Sequence, residues 1–263
     1  MDLGLQGKIA VVAASSKGLG KAVAQTLARE GALVTVNGRD AETLRVTAEE
    51  LRSEGGDVIE IVGDMTTVAD IEGLINGTVE RRGGLDLLVC NAGGPPSGNF
   101  AAFPDDQPWL DAIELNLMST LRLMRLAIPH MEARGGGSIT NIVSTSVKQP
   151  IGHLILSNTA RTAVIGLTKT VATEYAGKNI RVNNVLPGST LTGRITSLAQ
   201  TRADKAGTTA EVIMDEDAKA IPMGRLGTPQ EFANVVAFLA SDAASYVTGV
   251  SIQVDGGNLK SLL

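Results

Sequence analysis

Apolar and polar positions change their period repeatedly along the chain. Short runs rich in β-branched and apolar residues alternate with longer segments in which apolar residues recur at helical spacing. The strand candidates are KIAVVAA (8–14), LVTVN (33–37), DVIEIVG (57–63), LDLLVC (85–90), SITNIV (138–143), IRVNNVL (180–186) and SIQVD (251–255). Strands that alternate with helices form a parallel sheet covered on both faces. The pattern therefore predicts an α/β fold, a doubly wound sheet of seven parallel strands with helices on both faces.

Two of the intervening segments show the helical pattern clearly. The first follows Thr67, its expected N-cap, and has apolar residues at i, i+3, i+4 and i+8: Ile71, Leu74, Ile75 and Val79. The second follows Ser157 and carries a stripe of small and apolar residues: Ala160, Ala163, Val164, Leu167 and Val171. Ser157 and Arg161 then lie one helical turn apart on one face, so that their side chains can address one site.

Length and composition fit a single globular domain. The chain has 263 residues, of which 43% are hydrophobic and 19% charged, and no linker, internal repeat or low-complexity tract divides it. We therefore assign residues 1–263 to one domain. Segment 193–227 fits the alternation of strands and helices least. We expect it to form one or two helices that act as a substrate lid within the domain.

Charge and cysteine content exclude several classes of partner. The chain has 23 Lys and Arg against 28 Asp and Glu, a net charge of −5 that provides no broad cationic surface for nucleic acid or anionic lipid. No run of 18 apolar residues and no leader pattern is present, so we expect a soluble, cytoplasmic protein. The single cysteine, Cys90, ends an apolar run and is expected to be a buried structural thiol. No metal site is predicted.

The first strand candidate runs into a glycine-bearing turn, AASSKGLG, that opens a helix. Backbone N–H groups and the helix dipole at such a junction can hold a pyrophosphate. The second strand candidate ends about twenty residues later, which is the spacing of a dinucleotide-binding unit. A turn that uses glycine only for its backbone freedom is the alternative. The pattern favours a Rossmann-type fold, and the turn residues expected to bind the cofactor are Ser15, Ser16, Lys17, Gly18, Leu19 and Gly20.

The end of the second strand, VNGRD, indicates which nicotinamide cofactor is bound. Asn37 and Gly38 stand at its tip and Arg39 follows, so no carboxylate occupies the place where NAD enzymes hold the ribose 2′-OH. Lys17 in the glycine turn adds a second cation, and two cations from two loops suit a dianionic phosphate. The sequence therefore favours NADP(H). The alternative is that both cations are solvated surface charges.

Further motifs follow in a fixed order. They are GDMTT with Asp64 and Met65, CNAGG with Asn91, Ala92 and Gly93, ELNLMST with Asn116, VLPGSTLT with Pro187, Gly188 and Thr192, and VTGVSIQVDGG. With the glycine turn, they make the chain resemble the short-chain dehydrogenase/reductase family over essentially its whole length, and especially its β-ketoacyl-carrier-protein reductase-like members. The resemblance implies that these motifs bind NADP(H), with Asp64 and Met65 at the adenine. It also implies a homodimer or homotetramer.

The chain departs from the family pattern at two places. The first glycine of the family's turn is Ala14 here, and because alanine replaces a loop glycine only where φ is negative, we predict an ordinary conformation at Ala14. The family's catalytic Tyr-x-x-x-Lys falls thirteen residues after its catalytic serine. Counting from Ser144 leads to Ser157, with Arg161 four residues later. The flanking sequence resembles the family's, so the tyrosine and lysine are substituted and not displaced.

This substitution changes the chemistry that the resemblance implies. A phenol with a pKa of about 10 can be tuned toward neutrality, whereas an aliphatic hydroxyl such as that of Ser157 starts much higher. Arg161 keeps a positive charge and can bind ribose hydroxyls, but an arginine does not pass on a proton. Ser144 and Asn116 remain to hold the substrate oxygen and to order water. The proton source is then water, Ser157 or His153, while Lys148 is expected to be a surface charge.

These observations favour an NADP(H)-dependent oxidoreductase that reduces a ketone or 3-oxoacyl thioester, or oxidises the corresponding secondary alcohol. Its partner is a small-molecule carbonyl compound or alcohol, and its catalytic residues are Ser144, Asn116, Ser157 and Arg161. A cofactor-binding sensor or a catalytically silent subunit is the alternative, because it explains the missing tyrosine and lysine more simply. A lyase or isomerase that uses the same pocket also stays open.

Overall fold

The computed structural model describes residues 2–261, and within them seven strands form one parallel sheet. The strands are β1 (Ile9–Val12), β2 (Leu33–Gly38), β3 (Asp57–Val62), β4 (Leu87–Cys90), β5 (Gly137–Ile142), β6 (Ile180–Pro187) and β7 (Ser251–Val254). Their order in the sheet is β3-β2-β1-β4-β5-β6-β7. The order reverses between β1 and β4, which opens a crevice at the carboxyl ends of these strands. The predicted sheet is confirmed.

Helices cover both faces of the sheet. They are α1 (Gly18–Arg29), α2 (Ala41–Ser53), α3 (Val68–Arg82), α4 (Gln107–Ile113), α5 (Ser119–Ala133), α6 (Ile155–Tyr175), α7 (Gly193–Ala206), α8 (Ala210–Ala220) and α9 (Pro229–Ala240). As predicted, α3 begins directly after Thr67. The start of α9 is fixed by a capping box between Thr228 and Glu231. Among the described residues, no helix is long and apolar enough to cross a membrane.

The core consists of two apolar layers on the two faces of the sheet, and strand β1 contributes to both. Ala10 and Val12 pack with residues of α1, α2 and α9, whereas Ile9 and Val11 pack with residues of α3 and α5. Successive side chains of a strand point to opposite faces, so a continuous apolar run serves both layers. Cys90 at the end of β4 is buried in the second layer, and burial raises the pKa of its thiol. Cys90 therefore has the burial expected of a structural thiol.

Segment 193–227 contains α7 and α8, which pack against each other. Their buried residues form a small separate cluster: Ala199, Ala203, Ala210 and Ile213. Arg202 of α7 and Asp217 of α8 form an ion pair at 2.7 Å on its surface. The helical content of this segment agrees with the sequence pattern, and its action as a lid stays a prediction.

Arg181 on β6 joins the sheet to the carboxyl end of α9. Its guanidinium donates hydrogen bonds to the carbonyl oxygens of Leu239 (2.7 Å), Ala240 (3.3 Å) and Ser241 (2.9 Å). These carbonyls end the helix and have no partner within it, and the helix dipole favours a cation there. Arg181 therefore caps α9 from the sheet.

Replacing Arg181 with methionine is expected to lower the free energy of unfolding by about 2 kcal/mol, because three carbonyls lose a charged donor. Urea unfolding measures the change. Arg29→Met is the matched control. Arg29 pairs with Glu54 on the surface at 2.9 Å, and its loss should cost at most about 1 kcal/mol. Equal effects of the two substitutions would contradict the capping role of Arg181.

Candidate active site

Ala14 lies in the glycine turn with φ of +45°. Its N–H donates to Oδ1 of Asn37 (3.0 Å), and its carbonyl accepts from Nδ2 of Asn91 (2.9 Å). The prediction of an ordinary conformation at Ala14 was therefore wrong. The two asparagines hold both polar groups of this residue, and the left-handed conformation is the one in which both bonds form. A Cβ on Gly20 would lie 2.5 Å from the Ala14 oxygen, so only glycine fits there.

Asn37 is fully buried at the end of β2. In addition to its bond with Ala14, its Nδ2 donates to the carbonyls of Ile61 and Gly63, both at 3.1 Å. The amide thus ties β2, β3 and the glycine turn together. The predicted cofactor residue Asn37 uses its side chain inside the protein. Its backbone is bonded there as well, because its N–H donates to the Ser15 hydroxyl (3.0 Å) and its carbonyl accepts from the Ser15 N–H (2.7 Å).

Other predicted cofactor residues also turn their side chains inward. The Ser15 hydroxyl is buried and donates to the Val12 carbonyl at 2.7 Å. Met65 is buried in the second apolar layer, and Leu19 packs against the first. Gly188 lies against β7, where a Cβ would come within 2.6 Å of the Asp255 Cβ atom. These residues therefore serve the packing of the protein around the crevice.

Lys17 and Arg39 are exposed at the rim of the crevice. Arg39 contacts Asp64 only loosely, at 3.5 Å, and its side chain is 78% exposed. Asp40 begins α2, and hydrogen bonds from Thr43, with a smaller contribution from the charge of Lys17, lower the pKa of its carboxyl group. The charge of Lys17 therefore acts on Asp40 at the beginning of α2, directly after Arg39 in the chain. Gly38 allows the close packing of these two loops, because a Cβ there would lie 2.8 Å from the Ser16 Cβ atom.

The amino end of α1 suits a phosphate. No side chain within residues 2–261 caps it, and its first turn contains no acidic residue. Its N–H groups and its dipole are therefore available to an anion. Gly18 has φ of +60°, and a Cβ there would lie 3.9 Å from Cγ2 of Thr192. The glycine turn thus faces the beginning of α7, and these residues fit the diphosphate of a dinucleotide.

Asn116 lies in a π-helical turn, Glu114–Met118, between α4 and α5. Its side chain is 3% exposed, and neither amide atom has a hydrogen-bond partner within residues 2–261. An unsatisfied buried polar group costs about 1–3 kcal/mol, and π-helical turns occur frequently at functional sites. The sequence pattern identifies Asn116 as a candidate but does not predict the π-helical turn that holds it.

A small apolar cluster brings Asn116, Ser144 and Arg161 to the same region. Each of these residues is adjacent to a cluster member or within one helical turn of one. The cluster consists of Val143, Val164 and Leu186, with Leu117, Val147 and Ile165 packed against them. The π-helical turn, the end of β5 and α6 therefore meet at this point.

Arg161 is held by three backbone carbonyls. Its Nη1 donates to Ile142 (3.3 Å) and Val143 (3.0 Å) at the end of β5, and its Nη2 donates to Gly93 (3.2 Å) in the loop after β4. Burial, and then the charge of Arg194, lower the pKa of Arg161 to about 10. The guanidinium is therefore still protonated at neutral pH, and the site has a fixed cation between the ends of β4 and β5.

Ser144 and Ser157 present hydroxyls near this cation. Ser144 precedes a short 3₁₀ turn, Thr145–Val147, and its Oγ accepts a hydrogen bond from the Ser146 N–H at 3.1 Å. Ser157 is one turn before Arg161 on α6 and is 9% exposed. Its hydroxyl has no hydrogen-bond partner in the described part of the chain. Both hydroxyls can still donate to a ligand.

Two further candidates from the sequence, His153 and Lys148, form hydrogen bonds with other parts of the chain. His153 is exposed and has φ of +61°, and its carbonyl accepts a hydrogen bond from Gly98 at 2.7 Å. Lys148 donates from its Nζ to Gln253 on β7 at 2.8 Å. That bond agrees with the expectation that Lys148 is a surface charge and not a catalytic residue.

Arg194 is a site residue that the sequence pattern did not single out. It lies in the first turn of α7, and its Nη2 donates to the Pro95 carbonyl at 3.0 Å. A Cβ on Gly94 would lie 3.2 Å from the same nitrogen. The sequence contained one signal for Arg194, because this cation directly follows Thr192 and Gly193. It lies at the amino end of a helix, where the helix dipole disfavours a positive charge.

The sheet order, the glycine turn and the exposed cations at its rim define a dinucleotide-binding protein of the α/β class. The family model described as enoyl-(acyl carrier protein) reductase matches residues 13–258. Dehydrogenase/reductase SDR family member 4 of Sus scrofa is 34% identical over 98% of this chain and 89% of its own length. The chain belongs to the short-chain dehydrogenase/reductase family of oxidoreductases.

Two solved structures show the same fold. L-Sorbose reductase from Gluconobacter frateurii, in complex with NADPH and L-sorbose, is 34% identical with a TM-score of 0.95, and each chain covers 100% of the other. A single-residue variant of actinorhodin polyketide ketoreductase, with NADPH, is 35% identical with a TM-score of 0.93. That alignment covers 97% of this chain and 98% of the ketoreductase.

Replacing Ala14 with glycine is expected to raise the free energy of unfolding by about 0.5–1 kcal/mol. The left-handed conformation costs an alanine about 1–2 kcal/mol, and glycine removes this cost. Glycine also gives the unfolded chain more conformational entropy, which offsets part of the gain. Urea unfolding measures the difference. The control Ala13→Gly changes a buried neighbour without positive φ and should lower stability. Reduced stability of the Ala14→Gly protein would contradict the strain inferred at this position.

Proposed function

We propose that the protein is an NADP(H)-dependent oxidoreductase that reduces a ketone or 3-oxoacyl thioester, or oxidises the corresponding secondary alcohol, with a proton donor other than tyrosine. The main support for this proposal is the set of hydrogen bonds that the Arg161 guanidinium donates to three backbone carbonyls. This arrangement keeps a permanent positive charge at the carboxyl edge of the sheet, where ligands of such folds bind. A fixed cation stabilises the negative charge that develops on a carbonyl oxygen during reduction.

NADPH, when bound, supplies the hydride. The exposed cations Lys17 and Arg39 support binding of its 2′-phosphate, and the uncapped beginning of α1 supports binding of its diphosphate. Two similar proteins, the sorbose reductase and the actinorhodin ketoreductase, have solved structures with NADPH. The absence of a carboxylate at the end of β2 favours NADPH over NADH.

Ser144 and Asn116 supply the polar groups for the substrate oxygen. The Ser144 hydroxyl accepts one backbone hydrogen bond and can donate its own proton to a carbonyl oxygen. Asn116 has an unsatisfied buried amide, which suits an ordered water or a polar ligand group. Arg161 orients and stabilises the substrate, and the proton comes from water, Ser157 or His153.

Ser144→Ala is expected to lower kcat/KM by about 10²–10³, because the substrate oxygen loses a donor that is strongest in the transition state. The measurement is NADPH oxidation over a panel of ketones, 2-oxo acids, 3-oxo acids and acyl thioesters. Ser146→Ala is the control, because it removes a hydroxyl without a partner within residues 2–261 in the same turn. Its activity should stay within about threefold of wild type. Tight NADPH binding without turnover of any compound would disprove the proposed reaction and favour a silent cofactor-binding protein.

Two further variants identify the proton donor in the same assay. If Ser157 donates or relays the proton, Ser157→Ala should lower kcat by roughly 10²-fold or more, and His153→Gln should leave it unchanged. The reverse outcome assigns the proton to His153. If neither variant lowers kcat, water reaches the substrate oxygen directly.

Replacing both Lys17 and Arg39 with alanine is expected to weaken NADPH binding by roughly 10²-fold or more, because two charge-assisted contacts to the 2′-phosphate are lost. NADH binding should change little. Fluorescence titration of each cofactor gives the two dissociation constants. Arg45→Ala is the control, since Arg45 is an exposed cation on α2 that already pairs with Glu42 and Glu49. A wild-type preference for NADH would show that the assignment of the 2′-phosphate site is wrong.

A further inference from the structure

Two arginines from distant parts of the chain end on the same short loop after β4. Arg161 of α6 donates to the carbonyl of Gly93, and Arg194 of α7 donates to the carbonyl of Pro95. Arg194 also contacts the face of Gly94, where a Cβ would lie 3.2 Å from its Nη2 atom. The two guanidinium groups therefore lie along three consecutive residues at the carboxyl edge of the sheet.

Neither arginine has a carboxylate partner within residues 2–261. Nine other arginines do have one within 4.0 Å, namely Arg29, Arg39, Arg45, Arg52, Arg82, Arg122, Arg134, Arg202 and Arg225. Surface arginines of this protein thus commonly pair with acids. Arg161 and Arg194 do not, and in the described part of the chain neither do Arg81, Arg125 and Arg181.

The surroundings add to the unbalanced positive charge. Arg194 lies in the first turn of α7, where the helix dipole disfavours a cation, and no acidic residue occurs in that turn. The charge of Arg194 also helps to lower the pKa of Arg161, so the two cations repel each other. A bound anion would relieve both the dipole conflict and the repulsion.

Unused donors are present for such an anion. Nε and Nη1 of Arg194, and Nε of Arg161, donate to no group of the described chain. A guanidinium carries five N–H donors in a planar fork that matches a carboxylate with two parallel hydrogen bonds. The carbonyl bonds at Gly93 and Pro95 hold the two forks in place and leave these donors free.

We propose that Arg161 and Arg194 together bind a carboxylate of the substrate, so that the preferred substrates are oxo acids and not neutral ketones. This inference rests on the proposed function and names its substrate class. The diphosphate of the cofactor is the other oxyanion available, but the beginning of α1 and Thr192 already fit it. Because α7 opens segment 193–227, the bond between Arg194 and Pro95 also joins this segment to the loop after β4.

The test uses three pairs of probes, each an anionic oxo acid and its neutral methyl ester. They are pyruvate and methyl pyruvate, acetoacetate and methyl acetoacetate, and levulinate and methyl levulinate. Calorimetry of the full chain saturated with NADP⁺ measures their binding, because a ketone and the oxidised cofactor form a complex that does not react. Binding is thus measured even if no turnover occurs, and failure of this inference can be told from failure of the proposed reaction.

For at least one pair, the acid should bind wild-type protein roughly tenfold or more tightly than its ester. Arg194→Met should remove this preference without changing the affinity for the ester, and Arg194→Lys should restore only part of it. Lys205→Met is the matched control, because it removes an exposed charge from the same helix, and it should keep the preference.

Two results would overturn the inference. In the first, the esters bind as tightly as the acids at all three chain lengths. In the second, Arg194→Met weakens the binding of NADP⁺ itself, measured by fluorescence titration, and leaves the ratio of acid to ester affinity unchanged. That second result would assign the arginine pair to the phosphates of the cofactor.

Discussion

The backbone of Ala14, held between the side chains of Asn37 and Asn91, is the constraint on which the crevice depends. Asn37 comes from the end of β2 and Asn91 follows β4, so two hydrogen bonds fix the glycine turn against the strands on both sides of β1. Each buried hydrogen bond contributes about 0.5–1.5 kcal/mol, which offsets a left-handed alanine at about 1–2 kcal/mol. The strain is therefore tolerated where it positions the glycine turn.

The sheet could be predicted from the sequence because its signals are local. Each apolar run is a few residues long, and the alternation with helical segments determines the class of sheet. The conformation of Ala14 could not be predicted in this way. Its two partners are 23 and 77 residues away, and the rule that alanine avoids positive φ describes a residue without such partners. The wrong prediction at Ala14 therefore marks the point where tertiary contacts override local preference.

For the candidate site, the order and spacing of motifs predicted Ser144, Asn116, Ser157 and Arg161. The structure brings the elements that carry Asn116, Ser144 and Arg161 together through one small apolar cluster, and the roles of these residues stay a prediction. The spacing did not reveal what Arg161 contacts, because its carbonyl partners lie 18, 19 and 68 residues away. For Arg194, the sequence showed only that a cation lies in the first turn of a helix. Its meaning depends on Pro95, which is 99 residues away.

An arginine at the position that the sequence pattern predicts for the family's lysine changes how the positive charge of the site can act. A lysine ammonium is a compact charge on a flexible stem, whereas the planar fork of Arg161 reaches the ends of two strands at once. The charge is thereby immobilised, and it cannot follow a ligand or exchange a proton. A negatively charged group must then come to it. Arg194 on α7 supplies the second cation, and because its bond to the Pro95 carbonyl holds it at the same loop that Arg161 contacts, both charges are fixed where that group would bind.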